Sequence, residues 1–234
     1  MNQSAESKPK LFGLLVVDKP VGHSSMDVVR RVRRAAGGAK TGHAGTLDPL
    51  ATGVVICCLG RATKLVESLM ALPKIYQTQI DLSAFTRTDD REGEREQITV
   101  NSAPGRSDID HALATMIGQI EQRPPAFSAV HVNGQRAYKL ARKGQQVDIP
   151  MRTVRIDAID LLNYDWPYLD LRITCGRGTY IRSIARDLGV QLGTGGHLSS
   201  LRRTAVGNFD LQSAVTFDRL DQPITQGDLL DPPQ

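Results

Sequence analysis

An α+β domain with a mixed, largely antiparallel sheet flanked by helices is predicted from three observations. Strand-like and helix-like stretches interleave without strict βα alternation, which disfavours a doubly wound parallel sheet. Residues 74–82 and 168–175 alternate apolar and polar side chains with the period of a half-buried strand. Apolar residues make up 40% of a 234-residue chain, enough for a substantial core.

Residues 1–10 are polar and read as a disordered tail. Residues 13–18 form a short apolar strand, after which Pro20 and Gly22 turn the chain and Ser24 or Ser25 caps a helix over 26–36. Val28, Val29, Val32, Ala35 and Ala36 share one face of that helix, and Arg30, Arg31, Arg33 and Arg34 lie largely on the other. The basic face is either a solvated face or a phosphate-contacting one. In the strand over 74–82, Tyr76, Thr78, Ile80 and Leu82 point to one side; by periodicity alone Tyr76 is a core aromatic.

Ser107 is placed to cap a helix carrying Ile109, Leu113, Met116, Ile117 and Ile120 at helical spacing. Arg123-Pro124-Pro125 breaks regularity, and residues 127–132 with Asn133-Gly134 read as a hairpin-like extension. A short helix through Tyr138 follows, with Arg136, Lys139, Arg142 and Lys143 as candidate phosphate contacts. Residues 152–162 and 168–175 form two strands that pair. Gly176-Arg177-Gly178 turns the chain into a helix over 179–192 that stops at Gly193. Arg182 falls in its first turn, where a cation opposes the helix dipole and favours a nearby carboxylate; Asp187 is one candidate. Residues 197–209 are strand-like and carry Leu201, Arg202 and Arg203.

The net charge of +4 is a modest hint of an anionic partner. Cys57, Cys58 and Cys175 contain no C-x-x-C and no secretory signal precedes them, which points to a reducing, cytoplasmic setting. The histidines at 23, 43, 111, 131 and 197 lack metal-ligand spacing, so no metal site is expected. No apolar stretch approaches a membrane span.

The stretch from His43 to Val55 reads His-Ala-Gly-Thr-Leu-Asp-Pro-Leu-Ala-Thr-Gly-Val-Val and holds one carboxylate, Asp48. Pro49 restricts the backbone of Asp48, Gly45 and Gly53 permit conformations closed to other residues, and Val54-Val55-Ile56 opens a buried strand. Two readings stand side by side. Asp48 can be an N-cap with Pro49 at the first helical position, or an acid presented at a strand mouth.

This stretch resembles the G-T-L-D-P-x-A-x-G-V motif of TruB-type tRNA pseudouridine-55 synthases. The resemblance continues through Asp18-Lys19-Pro20-Val21-Gly22-His23-Ser24-Ser25, Arg123-Pro124-Pro125-Ala126-Phe127-Ser128-Ala129 and Gly178-Thr179-Tyr180-Ile181-Arg182-Ser183, in family order. It implies a pseudouridine synthase fold over 11–220 with a central cleft and a thumb-like insertion. Residues 221–234 are then a short C-terminal tail, with no PUA barrel expected.

The resemblance makes Asp48 the nucleophile, with Tyr76 and Arg182 as catalytic partners, Arg182 pairing with Asp48. It places His43, Tyr76, Tyr180, Leu201 and Lys19 at the flipped base or its neighbours, and the 136–143 cations on the RNA backbone. Arg87 stands where the family more often has an acid, and His131 where it has a lysine. The implied partner is the T arm of transfer RNA, bound by a monomer without DNA, membrane or obligatory protein partner. Isomerising uridine has no net redox change, so no cofactor is implied. One alternative is a non-catalytic RNA-binding or RNA-folding protein on the same scaffold. Another, an unrelated carboxylate enzyme, needs a metal cluster or a paired acid, and neither is visible.

Overall fold

A computed structural model describes residues 11–132, 134–145 and 147–233. The expected tail over 1–10 and Asn133 of the expected turn lie outside the described residues. The chain forms two compact units, Met1–Leu72 with Arg203–Gln234, and Pro73–Arg202.

The first unit begins with strand β1 (Gly13–Lys19) and helix α1 (Ser25–Ala35). Ser24 is the cap: its Oγ accepts the Asp27 N–H at 3.2 Å and the Asp27 carboxylate accepts the Ser24 N–H at 2.7 Å. Val28, Val29 and Val32 are buried, as the helical spacing predicts. Strands β2 (Thr41–His43) and β3 (Thr52–Leu59) follow, then helix α2 (Val66–Ala71). β3 runs antiparallel to both β1 and β2. The core gathers Leu14, Val16, Val54, Ile56, Cys58, Leu69 and Val206.

The second unit opens with β4 (Lys74–Asp81), β5 (Ala84–Thr86) and β6 (Arg95–Gln97), then α3 (Arg106–Thr115). The cap of α3 is Gly105 rather than Ser107, because the Asp108 carboxylate accepts the Gly105 N–H at 3.0 Å and starts the helix earlier. It ends at Thr115, so Ile120 belongs to β7 (Gly118–Gln122) and Ile117 is exposed; Gly118 at φ 104° breaks the helical path. The insertion holds β8 (His131–Val132), β9 (Gln135–Arg136) and α4 (Ala137–Ala141). β10 (Arg152–Asp165) and β11 (Tyr168–Cys175) pair antiparallel, giving the sheet order β4-β11-β10-β7. Helix α5 (Ile181–Leu192) stops at Gly193 in the left-handed conformation, φ 66°. Its Ile184 and Leu188 are buried with Ile109 and Leu113 of α3.

Strand β12 (His197–Val206) carries the chain back to the first unit. There β13 (Phe209–Asp210) pairs with the end of β12, and β14 (Val215–Thr216) runs parallel to β1. The parallel β1–β14 pair beside the antiparallel β1–β3, β4–β11, β10–β11 and β7–β10 pairs agrees with the mixed, largely antiparallel sheet expected from interleaved strands and helices. The last segment packs on this unit: Ile224 N–H donates to Ala35 O at 3.0 Å, and Leu230 pairs with Leu14.

Candidate functional site

Asp48 lies in the loop between β2 and β3 and opens a turn closed by Ala51 N–H to Asp48 O at 3.1 Å, so the helix-cap reading is not realised. The reason lies in its surroundings, which claim each carbonyl from residue 45 to residue 49. Arg203 donates through Nη2 to Gly45 O at 3.2 Å, through Nη1 to Thr46 O at 3.3 Å and through Nε to Val54 O at 2.7 Å. Ser25, released from capping by Ser24, grips Leu47: its Oγ donates to Leu47 O at 3.1 Å and accepts Leu47 N–H at 2.7 Å. Pro49 O accepts Gly22 N–H at 2.8 Å and Lys19 Nζ at 3.4 Å. The half-buried Asp48 carboxylate thus projects from a backbone with few free torsions.

Gly53 follows from the same packing. Its φ is 103°, and a Cβ there would stand 2.1 Å from Arg203 O. Arg203, only 1% exposed, spends its guanidinium on carbonyls flanking Asp48, and sequence periodicity offered no signal for it.

Lys19 has no exposed surface, and its Nζ also donates to Pro20 O at 3.0 Å and His23 O at 2.7 Å. Burial lowers its pKa to about 8, with nearby Asp48 opposing the shift and Arg203 adding to it. His43 ends β2, half-buried; burial lowers its pKa, against a backbone hydrogen bond with Gly45, so the neutral imidazole prevails at pH 7.

The second unit carries the remaining singled-out residues. Tyr76 sits on β4 opposite Ile173 and is 8% exposed. Tyr180 caps α5 with its ring 4.8 Å beneath the Arg152 guanidinium. The Gln122 side chain, fully buried, holds the Tyr180 backbone from both sides, Nε2 to O at 3.1 Å and Oε1 from N–H at 2.8 Å. Leu201 is a buried residue of β12.

Arg182 is buried and meets Asp90 at 3.5 Å, while its Nη1 and Nη2 donate to Thr88 O and Phe127 O, each at 3.0 Å. Asp90 thus supplies one carboxylate to Arg182 within its own unit. Asp187 instead pairs with Arg186 at 2.9 Å. Thr88 and Asp90 close the loop carrying Arg87, which is exposed. Arg136, Lys139, Arg142 and Lys143 are all exposed, and among the described residues none forms an ion pair. On α1, by contrast, Arg30 is engaged by Asp27 and Arg31 by Asp221 at 2.6 Å. Among the described residues no group of three or more His, Cys, Asp or Glu is arranged to hold a metal.

Two family models match in succession: the TruB family pseudouridylate synthase N-terminal domain over residues 33–181, and the tRNA pseudouridylate synthase B C-terminal domain over residues 182–231. A tRNA pseudouridine synthase B of Mycobacterium sp. (strain KMS) is 49% identical over 216 residues, covering 90% of this chain and 73% of the relative. That of Corynebacterium diphtheriae is 46% identical over 221 residues, covering 90% and 72%. Among solved structures, a chain of a Cbf5-Nop10-Gar1 complex is 28% identical with a TM-score of 0.70, covering 94% of this chain. This chain spans 61% of the length of that one.

Proposed function

The chain belongs to the TruB family of pseudouridylate synthases and isomerises uridine in transfer RNA to pseudouridine; from that premise we propose that the target is a uridine of the T loop and that Asp48 is the nucleophile. The observation that carries this reading is the clamped loop, in which each carbonyl from Gly45 to Pro49 is hydrogen-bonded and from which the Asp48 carboxylate projects. The bond from the sugar carbon to N1 breaks, the uracil turns, and a bond from the same carbon to C5 forms. The C5 proton leaves to solvent and N1 gains one, so the reaction balances without a cofactor. A fixed carboxylate serves attack at the sugar carbon and at the ring alike.

A stacked uridine must first be extruded, at a cost of a few kcal/mol. Stacking on Tyr76 offsets about 1 to 3 kcal/mol of that, and His43, Tyr180 and Leu201 line the base or its neighbours in this reading. Tyr76 also lies in the role of C5 base. Arg182 serves as the catalytic cation in this reading, and Lys19, its donors spent on carbonyls, acts through the loop. In this reading the protein works as a cytoplasmic monomer, as the lack of C-x-x-C motifs and the compact hairpin substrate suggest.

Phosphate contact falls on the 136–143 stretch, whose cations are free of ion pairs while Arg30 and Arg31 are engaged. A local hairpin suffices for such a contact. Tritium release from C5-labelled uridine, compared at one salt concentration, is expected to give an isolated T-arm stem-loop a kcat/KM within about tenfold of full-length transfer RNA, or about 1.4 kcal/mol. A loss of several orders of magnitude for the stem-loop would mean that distant parts of the transfer RNA are read.

Lys19 sets an alkaline limit. Turnover is expected to fall above about pH 8, as Nζ loses a proton that it shares with loop carbonyls. Its folded pKa lies below its unfolded one, so the stability tied to this group is lost as pH falls through about 8 and regained above it. Melting temperature should therefore not drop alongside turnover between pH 8 and 9, and a parallel drop would assign the limit to unfolding.

A further inference from the structure

Two arginines one turn apart on α5, Arg182 and Arg186, both reach the loop that holds Asp89 and Asp90. Arg186 Nη1 meets Asp89 Oδ2 at 2.9 Å, and its Nη2 donates to Arg123 O at 2.9 Å. Ser183, between them, adds a hydrogen bond from Oγ to Arg123 O at 2.8 Å. One face of the helix therefore binds the 88–90 loop and the start of the 123–127 segment together.

Asp89 has a φ of 58°, the one positive φ outside glycine among the described residues. A carboxylate held in the left-handed region and 9% exposed is doubly disfavoured, by backbone sterics and by desolvation. Its own backbone continues the clamp: Leu198 N–H donates to Asp89 O at 3.1 Å, and Arg91 N–H to Leu198 O at 2.8 Å. Nothing in the proposed chemistry uses Asp89 or Arg186 directly.

We propose that Asp89 and Arg186 are a positioning pair for Arg182: by tying the 88–90 loop to α5 they hold Asp90 and Thr88 O against the Arg182 guanidinium. The inference rests on the reading that Arg182 serves the reaction. Its logic is geometric, since Arg182 has its carboxylate and carbonyl partners on the residues either side of Asp89. If the loop swings away, Arg182 loses two of its contacts at once.

The pair also titrates in an accessible range. Burial pushes Asp89 up to about 6, with Arg186 and Arg182 pulling it down and Asp187 pushing it up. Asp90 and Arg91 are its charged neighbours on its own loop. Below pH 6 the pair loses its charge-assisted character while the fold itself gains, because the ionised, buried Asp89 is a cost to stability that is lifted on protonation.

Asp89→Asn tests this, since asparagine tolerates the left-handed region and keeps the shape without the charge. The expected result is a kcat lowered about 10- to 100-fold with KM for transfer RNA within about twofold, and loss of the wild-type acid limb near pH 6. Arg186→Gln should cost about the same, and the double variant no more than either single one. Should these variants fold poorly, Asp89→Gly removes the charge while relieving the backbone and is expected to show the same kcat loss. Hydrogen exchange in RNA-free protein gives a readout independent of turnover: the amides of Arg91 and Leu198 should exchange faster in Asp89→Asn. Wild-type kcat in Asp89→Asn or Asp89→Gly, additive losses in the double variant, or unchanged exchange would each overturn the proposal. Absence of tritium release by the wild-type protein would instead sink the proposed function, with the exchange measurement still deciding on the pair.

Discussion

Asp48→Asn is expected to lower kcat by at least about 10⁴-fold while leaving affinity for transfer RNA within a few-fold. The carbonyls of the loop are held by groups other than the carboxylate. The turn closes through Asp48 O and Ala51 N–H, and the flanking carbonyls are held by Arg203, Ser25 and Lys19. Asparagine is nearly isosteric, so the substitution removes the anion, including its pull on Lys19, while the backbone hydrogen bonds of the loop remain. Tritium release measures the loss and filter binding measures the affinity. Residual turnover above about a thousandth of wild type would remove Asp48 from the nucleophile role, and a matching loss of binding would show that the charge organises the RNA instead.

Arg203→Met is expected to cost about 2 to 5 kcal/mol of stability and to lower turnover in the fraction that stays folded. Methionine matches the apolar stem but removes the Arg203 donors from Gly45 O, Thr46 O and Val54 O. Each buried acceptor left unsatisfied costs about 1 to 3 kcal/mol, partly offset because a buried guanidinium no longer needs desolvating. Chemical denaturation gives the stability change, and kcat per folded molecule gives the functional one. A variant of wild-type stability with wild-type kcat would show that the carbonyl clamp is dispensable and that the peptide geometry around Asp48 is set by Pro49 and the glycines alone.

Local signals carried most of the fold. The alternation over 74–82 appears as β4, with Tyr76, Thr78 and Ile80 buried, and the apolar spacing of Val28, Val29 and Val32 appears as the inner face of α1. Gly193 ends α5 where its freedom at positive φ predicts. The errors were local contests as well. Asp108 outbid Ser107 for the start of α3, and Gly118 ended the helical path ahead of Ile120. The first turned on which residue met the orphan amides and the second on a dihedral open to glycine, margins of about 1 kcal/mol that periodicity does not resolve.

The sequence by itself determined the family, the α+β class and the residue types of the proposed chemistry, because motif order, periodicity and chain-breaking residues are all written along the chain. Tertiary structure alone decided how those residues are held. Arg203 reaches Val54 across 149 positions, Arg182 reaches Thr88 across 94, and Arg186 reaches Asp89 across 97. A guanidinium seeking carbonyls or a carboxylate leaves no periodic trace in sequence, since its partners are chosen by proximity after folding. What makes Arg203 buried and Arg202 only half-buried is the one-residue alternation of a strand that becomes legible only once β12 has its neighbours.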